Sequence, residues 1–347
     1  MILRDKKMIK KTTKKRKKLI IFCSAAIIVT VLYFTLVNVL VSATLVPSFM
    51  EKLEAFERIT VESYAAQVQT SDIKGNRSAS LNETQEWLEH AKRQKISAQT
   101  DDGYTLIANE FFSDDDSHKW ALVLHGYTGW KEEMYPFAYW YHEEGYHVLV
   151  PDLRCQGESE GDFIGMGWTD HFDCMKWISY ILSKDPDAVI VIHGQSMGAA
   201  TALMITGEET IPDNIAAVVS DCAYTDAYSM FGEKIGEWFH LPAFPLVDTA
   251  CLVLRLRGGY NLKDASAVNA VKNSHTPTLF IHGDEDAMIS VDMTKQLYQE
   301  ACCPKELLIV EGAGHAQAQD KDPDTYYGAI RTFLNGVMGE QSKNCRE

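Results

Sequence analysis

The sequence lacks the motifs of several common function classes. It has no Cys-x-x-Cys pair, no Cys/His spacing typical of a zinc site and no glycine-rich phosphate loop, and no segment repeats or has low complexity. The eight cysteines are spread singly apart from Cys302-Cys303, so we expect no disulfide scaffold and leave open whether one or two bridges form. We therefore expect a protein that needs neither a metal ion nor a cofactor.

Basic residues are scarce outside the first 18 positions. Residues 1–18 hold ten of the 33 Lys and Arg but only one of the 48 acidic residues, so the remaining chain carries 23 basic and 47 acidic residues. An acidic body of this kind repels phosphate groups. The charge distribution therefore argues against nucleic acid as the main partner, although a basic tail alone could also be a nucleic-acid arm.

The run Leu19–Val41 contains no charged residue over 23 positions. About 20 apolar residues span the hydrocarbon core of a bilayer, and the excess of Lys and Arg on one side indicates the cytoplasmic end. We predict a basic cytoplasmic tail over 1–18 and a single-pass transmembrane signal-anchor over 19–46, with the domain that follows it extracellular. The alternative is secretion after signal-peptide cleavage near Ala43, because Val41-Ser42-Ala43 has suitably small residues.

The stretch 47–95 is expected to be a juxtamembrane helical stalk or linker. Apolar residues recur at helical spacing from Pro47 to about Gln69, which predicts an amphipathic helix that could be a stalk, a membrane-surface helix or a flap packed on the domain that follows. Asp72 to Asn82 is polar and rich in turn formers, so we interpret it as a linker, followed by a short helix over Glu83–Lys95.

Residues 96–338 show strand-like apolar runs that alternate with helical patterns. A hairpin signal at Asp101-Asp102-Gly103 comes first, and the expected strands then follow at 120–124, 146–150, 188–192, 215–219, 278–281 and 307–310. This alternation predicts an α/β fold with a mostly parallel, doubly wound sheet and an antiparallel hairpin at one edge. The segment 226–274 interrupts the alternation, so we interpret it as a helical cap insertion; residues 339–347 form a tail.

The predicted cap contains apolar side chains and two arginines that the pattern alone does not place. Arg255 and Arg257 could meet a substrate carboxylate or headgroup, or lie on a solvated face. The apolar residues are expected to be shared between packing and pocket wall: Trp238, Phe239, Leu241, Phe244 and Leu246.

The chain is organised around Val189–Ala200. A β-branched run there ends at Gly194-Gln195-Ser196-Met197-Gly198, and a helix-favouring stretch follows. This strand–turn–helix context is what a nucleophile elbow requires, since it exposes the serine at a sharp turn and aims helical N–H groups at developing negative charge. The sequence therefore predicts Ser196 as a catalytic nucleophile.

Acidic and histidine candidates also follow predicted strands. Asp284 and Asp286 come after one strand, His315 comes after the next, and Asp221 ends an earlier one. In a parallel sheet, functional residues gather beyond the carboxyl ends of the strands. The order Ser, Asp, His along the chain is that of α/β-hydrolases.

Six motifs lie at or near the ends of the predicted strands: His125-Gly126-Tyr127-Thr128-Gly129, Pro151-Asp152-Leu153-Arg154, Gly157-Glu158-Ser159, Gly194–Gly198, His282-Gly283-Asp284-Glu285-Asp286 and Gly314-His315. Together these motifs resemble those of the α/β-hydrolase superfamily. Within it the chain is similar to bacterial membrane-anchored members near the cinnamoyl-esterase and monoacylglycerol-lipase-like groups. One departure is Cys155-Gln156, where such enzymes often carry Gly-His.

The resemblance implies a role for each site residue. Ser196 would be the nucleophile, His315 the general base and later the acid, and Asp286 the carboxylate that orients His315. Asp284 is the rival acid, but the family pattern places the acid three positions after the glycine. The oxyanion hole would be formed by the backbone N–H groups of Tyr127 and Met197.

These inferences predict a membrane-anchored, extracytoplasmic serine hydrolase that cleaves carboxylic esters with an acyl or aromatic group. Its expected partners are a small-molecule or lipid-like ester substrate and the membrane, with no nucleic acid. Two alternatives stay open: a peptidase or amidase of the same fold, and a catalytically silent α/β-hydrolase fold used for binding.

Overall fold

The protein is described by a computed structural model over residues 2–50, 70–114 and 117–344. The amphipathic helix expected from Pro47 to Gln69 therefore lies mostly outside the described residues. Twelve α-helices are described in this part of the chain: α1 Ile2–Leu45, α2 Pro47–Met50, α3 Ser71–Leu88, α4 Tyr135–Glu143, α5 Trp168–Lys184, α6 Met197–Thr206, α7 Ala227–Phe239, α8 Ala243–Arg257, α9 Ala267–Asn273, α10 Val291–Glu300, α11 Ala318–Lys321 and α12 Pro323–Asn344.

An eight-stranded sheet forms the centre of the molecule, in the order β1-β2-β4-β3-β5-β6-β7-β8. β1 and β2 form the expected antiparallel hairpin, β2 also runs antiparallel to β4, and the remaining pairs are parallel. The strands are β1 Arg93–Gln99, β2 Thr105–Phe111, β3 Lys119–Leu124, β4 His147–Pro151, β5 Val189–Gln195, β6 Ile215–Asp221, β7 Thr278–Gly283 and β8 Lys305–Val310. This sheet confirms the predicted fold class.

Each face of the sheet is covered by its own apolar core. One core contains side chains of α5, α6, α8, α9 and α10 together with the end of α1. The other contains side chains of α4 and α12, with Trp87 and Leu88 of α3 packed against it. The central strands β3 to β7 are buried on both faces for this reason, which explains their nearly continuous apolar sequences.

The segment predicted as a linker is instead helical. α3 covers Ser71–Leu88, and it is tied to the hydrolase fold because Arg77 pairs with Asp320 at 2.6 Å and the Trp87 ring packs 4.7 Å from that of Phe111. Its polar sequence has weak helix propensity, so the prediction was wrong because tertiary packing outweighs local preference here.

The insertion between β6 and β7 contains three helices, α7, α8 and α9. Only α7 and α8 stand apart as a cap, because α9 packs against α6 as a crossover helix of the α/β fold. α1 is one continuous helix whose span Lys14–Leu45 is long and apolar enough to cross a membrane. Its last three turns do not stand away from the domain: Val37, Val41 and Leu45 are buried in the same core as the cap.

Candidate active site

Ser196 lies at the sharp turn between β5 and α6. Its backbone has φ 56° and ψ −115°, a conformation that non-glycine residues rarely adopt. The flanking glycines are required by close backbone contacts: a Cβ at Gly194 would lie 2.2 Å from the carbonyl oxygen of Gly198, and a Cβ at Gly198 would lie 2.3 Å from that of Leu124. The Gly-x-Ser-x-Gly spacing therefore builds the strand–turn–helix arrangement expected of a nucleophile elbow.

His315 bridges Ser196 and Asp286. Its Nδ1 lies 2.6 Å from Asp286 Oδ2, and its Nε2 lies 2.8 Å from Ser196 Oγ. Because a carboxylate only accepts hydrogen bonds, Nδ1 carries the proton, and Nε2 can accept one from the serine hydroxyl. All three side chains are buried, so bulk water does not weaken these interactions. The structure thus brings together the three residues that the sequence selected.

The Asp286 carboxylate is held by four donors. Oδ1 accepts the backbone N–H groups of Met288 and Ile289, each at 2.8 Å, while Oδ2 faces His315 and also lies 3.0 Å from His282 Nε2. Burial by itself would raise the pKa of this carboxyl, but the two histidines hold it well below its usual range. Asp286 is therefore ionised, and it favours the Nδ1-protonated form of His315.

The two rival acids occupy other positions. Asp284 Oδ1 accepts the backbone N–H of Gly312 at 2.6 Å and so ties the β7 loop to the β8 loop. Asp221 Oδ2 accepts hydrogen bonds from the hydroxyl of Tyr326 at 3.1 Å and from Gln195 Nε2 at 3.3 Å. The acid in hydrogen-bond contact with His315 is Asp286.

The loop after β3 passes close to Ser196. A Cβ at Gly126 would lie 3.4 Å from the Cβ of Ser196, so this loop runs directly beside the serine. The next residue in the loop is Tyr127, whose backbone N–H is the expected oxyanion donor. Met197 is the first residue of α6, and the first N–H groups of a helix have no partner within it. The side chain of Tyr127 is fixed separately, because its hydroxyl donates a hydrogen bond to the carbonyl of Thr44 at the end of α1.

The remaining strand-end histidines have structural partners. His125 accepts the N–H of Leu153 at Nε2, and burial lowers the pKa of its ring to about 4. His193 lies between the hydroxyls of Tyr141 and Tyr326. His282 differs from these two, since it contacts Asp286 directly. Sequence reasoning grouped it with the structural histidines; its position four residues before Asp286 was the signal for this second contact.

One further titratable side chain adjoins the site. Ligand atoms of Cys222, Asp286 and His315 lie within 4.8 Å of one another, a grouping that could in principle hold a metal ion. Burial raises the pKa of the Cys222 thiol well above its usual value, however, so the sulfur keeps its proton. Because a metal ligand must be the thiolate, this thiol fits a metal ion poorly.

The cap departs from expectation in two ways. Arg257 was expected to meet a substrate or to lie on a solvated face, but its side chain binds α1. Its Nη1 donates hydrogen bonds to Asn38 Oδ1 at 3.0 Å and to Ser42 Oγ at 2.8 Å. The apolar residues expected to pack or to line a pocket are mostly on the surface. Leu246 packs against the core, whereas the following side chains are at least 50% exposed: Trp238, Phe239, Leu241 and Phe244.

Comparison with known proteins agrees with this geometry. Residues 121–329 match the model of the alpha/beta hydrolase family. The Bacillus subtilis protein YqkD is 30% identical over 223 residues, which make up 64% of this chain and 73% of YqkD.

Solved structures share the fold at lower identity. The Pyrococcus furiosus esterase Pf2001 has a TM-score of 0.58 at 21% identity and covers 72% of this chain and 93% of its own. A membrane phospholipase A described as a bacterial virulence factor has a TM-score of 0.53 at 16% identity and covers 83% of this chain and 99% of its own. By family match, fold and the geometry around Ser196, the chain belongs to the alpha/beta hydrolase family.

Proposed function

We propose that this hydrolase is a serine hydrolase that cleaves carboxylic esters through Ser196, His315 and Asp286. The observation that carries the proposal is the position of His315, whose two ring nitrogens contact Ser196 Oγ and Asp286 Oδ2 at 2.8 and 2.6 Å. A serine hydroxyl is a weak nucleophile at neutral pH, and a histidine at this distance can remove its proton.

The reaction would proceed in two halves. Ser196 Oγ attacks the ester carbonyl carbon while His315 Nε2 takes the hydroxyl proton, and the resulting imidazolium is stabilised by the ionised Asp286. The tetrahedral intermediate carries its negative charge on the former carbonyl oxygen, which would accept hydrogen bonds from the N–H groups of Tyr127 and Met197. Each such donor is typically worth about 3 kcal/mol in the transition state.

Collapse of this intermediate breaks the carbon–oxygen bond of the ester. The departing alkoxide takes the proton from His315 Nε2 and leaves as an alcohol, and the acyl group stays on Ser196. Water then attacks the acyl-enzyme with His315 again acting as base, which releases the acid and restores the serine. All these proton transfers run through the same nitrogen, so one histidine serves both halves.

A lipid-like ester in or near a membrane is the proposed substrate class. The solved membrane phospholipase A shares this fold over most of both chains, and α1 could hold the catalytic domain at a bilayer. We place residues 1–18 in the cytoplasm, 19–46 in the membrane as a signal-anchor and the hydrolase domain outside, since the basic residues precede the span.

Contacts of α1 support a retained anchor over cleavage near Ala43. Cleavage there would remove Val37 and Val41 from the apolar core, and it would also remove Asn38 and Ser42, which bind Arg257. The segment that a signal peptidase would cut away is thus packed into the folded domain.

The test is fluorophosphonate labelling of the full chain in detergent, with hydrolysis of p-nitrophenyl esters of increasing chain length. Ser196→Ala and His315→Ala are expected to lose labelling and turnover. The control Ser179→Ala changes a serine on the surface of α5 and should retain both. Absence of labelling in the folded natural chain would reject the serine-hydrolase proposal and favour a silent binding fold.

A further inference from the structure

The cap carries an unusual concentration of exposed apolar side chains. Outside α1, ten large apolar side chains are exposed among the described residues, and six of them lie in α7, α8 and the turn between these helices. Apolar patches of this kind mark interaction sites in most proteins. We call these six the cap edge: Trp238, Phe239, Leu241, Phe244, Leu252 and Leu256, each at least 48% exposed.

α1 and α8 run parallel and side by side. Tyr33 of α1 hydrogen-bonds Thr249 of α8 at 3.0 Å, and nine positions further along α1 Ser42 accepts from Arg257 at 2.8 Å. Thr249 and Arg257 are eight positions apart, so nearly the same number of residues separates the two contacts on each helix. The level of any α8 residue can therefore be read from the α1 residue beside it.

This register places the start of α8 beside the most apolar part of α1. Counting about 30 Å of hydrocarbon at 1.5 Å per residue from Leu19, the span ends near Asn38. Thr249, opposite Tyr33, then lies about 7 Å inside that boundary, and Pro245, four residues earlier, lies about 6 Å deeper. Phe244 comes just before Pro245 and has an extended backbone, so it lies at the amino end of the continuous helical part of α8. The turn that carries Phe239 precedes Phe244, so it too lies on the membrane side of Thr249.

The polar residues of α8 lie beside, and not within, its exposed apolar surface. At 100° per residue, Leu252 and Leu256 fall between the stripe that meets α1 and the stripe that carries Asp248. The Asp248 carboxylate accepts from Lys263 Nζ and from the Tyr228 hydroxyl, each at 2.9 Å, so it is not left as an unpaired charge. The exposed apolar surface of the cap is thus continuous with that of α1.

We propose that the cap edge from Trp238 to Leu252 is immersed in the acyl chains of the bilayer leaflet that α1 crosses on its carboxyl-terminal side, with Leu256 at the headgroup boundary. This inference rests on the membrane anchoring of α1 in the proposed function. The immersed cap is also tied to the catalytic acid, because Lys234 of α7 donates to the carbonyl of Ala287, next to Asp286, at 3.0 Å. The cap helix α7 therefore connects the immersed surface to the loop that carries Asp286.

The experiment measures depth on the full chain reconstituted in phosphatidylcholine/phosphatidylglycerol vesicles. A nitrobenzoxadiazole label is attached to one cysteine at a time and quenched by lipids that carry a doxyl group on the upper acyl chain. Three sites are compared: the natural Cys23 on α1, Phe239→Cys on the cap edge and Leu81→Cys on α3. Leu81 is a matched control, since it is 52% exposed and α3 packs on the opposite face of the sheet from α1.

Cys302 and Cys345 are replaced by Ser in every chain, and Cys23 is replaced as well when another site is labelled. A chain that lacks all three label sites is treated with the same reagent, and its fluorescence is subtracted. We expect quenching at Cys23 and at Phe239→Cys to exceed that at Leu81→Cys about twofold or more, as for side chains within the acyl layer. Quenching at Cys23 but not at Phe239→Cys would overturn the cap inference alone. No quenching at Cys23 would overturn the anchoring and the inference with it. Equal quenching at all three sites would also overturn it. None of these readouts requires turnover, so a failure of the serine-hydrolase chemistry is recognised separately by labelling of Ser196.

Discussion

Replacement of Asp286 by asparagine tests the orientation of His315 most directly. The new side chain would have one oxygen and one NH2 group where the carboxylate has two oxygens. The two backbone N–H donors of Met288 and Ile289, each 2.8 Å from Oδ1, would retain the oxygen, so the NH2 group would face His315 Nδ1. A donor at that position favours the tautomer with the proton on Nε2, which cannot accept the proton of Ser196.

The expected loss in kcat is about 10,000-fold, the size found when a triad aspartate becomes asparagine in a well-studied serine protease. This corresponds to about 5 kcal/mol of transition-state stabilisation. The assay is hydrolysis of a p-nitrophenyl ester, with the rate of fluorophosphonate labelling as a second readout and thermal unfolding as a check of folding.

Asp284→Asn is the matched control, since its carboxylate lies in the same loop but accepts only the Gly312 N–H among its described hydrogen bonds. We expect it to keep kcat within about threefold, because its loss removes at most one hydrogen bond of about 1 kcal/mol from a neighbouring loop. If Asp286→Asn stayed folded and kept its activity, or if Asp284→Asn lost as much, the assignment of the catalytic acid would be wrong.

Three further predictions concern the anchor and the core. Tyr127→Phe removes the hydroxyl that binds the carbonyl of Thr44, so we expect kcat to fall about fivefold at unchanged KM, the equivalent of about 1 kcal/mol. A shortened chain that begins at Pro47 loses the three apolar side chains that α1 contributes to the core, worth about 5 kcal/mol together, and should unfold at a clearly lower temperature than one that begins at Tyr33. Burial raises the pKa of Asp170 to about 7, so the folded protein keeps a proton that the unfolded chain releases near pH 4. The contribution of Asp170 to stability should therefore fall by about 1.4 kcal/mol per pH unit between about pH 4 and 7, and the stability of Asp170→Asn relative to the natural chain should rise with this slope in pH-dependent thermal unfolding.

Each of these has a matched control. Tyr104→Phe removes a hydroxyl that binds the exposed Asp162 and should leave kcat unchanged; a similar loss in both variants would contradict a role for the end of α1. Equal unfolding temperatures of the two shortened chains would show that α1 adds nothing to the domain. The exposed Asp187→Asn should keep the pH dependence of the natural chain, and an Asp170→Asn variant with that same pH dependence would refute the raised pKa of Asp170.

Local sequence patterns predicted much of the hydrolase domain. The run Val189–Ile192 is continuously apolar and is followed by closely spaced glycines, so its identity as a buried strand that ends in an elbow could be inferred from neighbouring residues alone. The same reasoning predicted the strand before His315 and the hairpin at Gly103. The choice between Asp284 and Asp286 depended on resemblance, because both follow the same strand and spacing does not say which carboxylate turns inward.

The predictions that were wrong concern segments in which tertiary packing outweighs the local sequence preference. α3 has the composition of a linker, yet its contacts with Asp320 and Phe111 hold it as a helix against the domain. Likewise, the pattern around His282 was that of a buried strand end, and its spacing from Asp286 becomes a 3.0 Å contact only because the intervening loop turns back on the strand.

The sequence by itself determined the alternation of strands and helices in the hydrolase domain, the elbow at Ser196 and the uncharged span after the basic tail, because each follows from the spacing of residues close together in the chain. Only the tertiary structure decided how the end of α1 joins the catalytic domain. Arg257 meets Asn38 across 219 positions of sequence, and no local periodicity encodes such a pairing. This pairing forms because the apolar stripe of α1 and the surface of α8 pack together and are thereby removed from water. Such packing requires both helices to be formed, so it is a property of the folded chain.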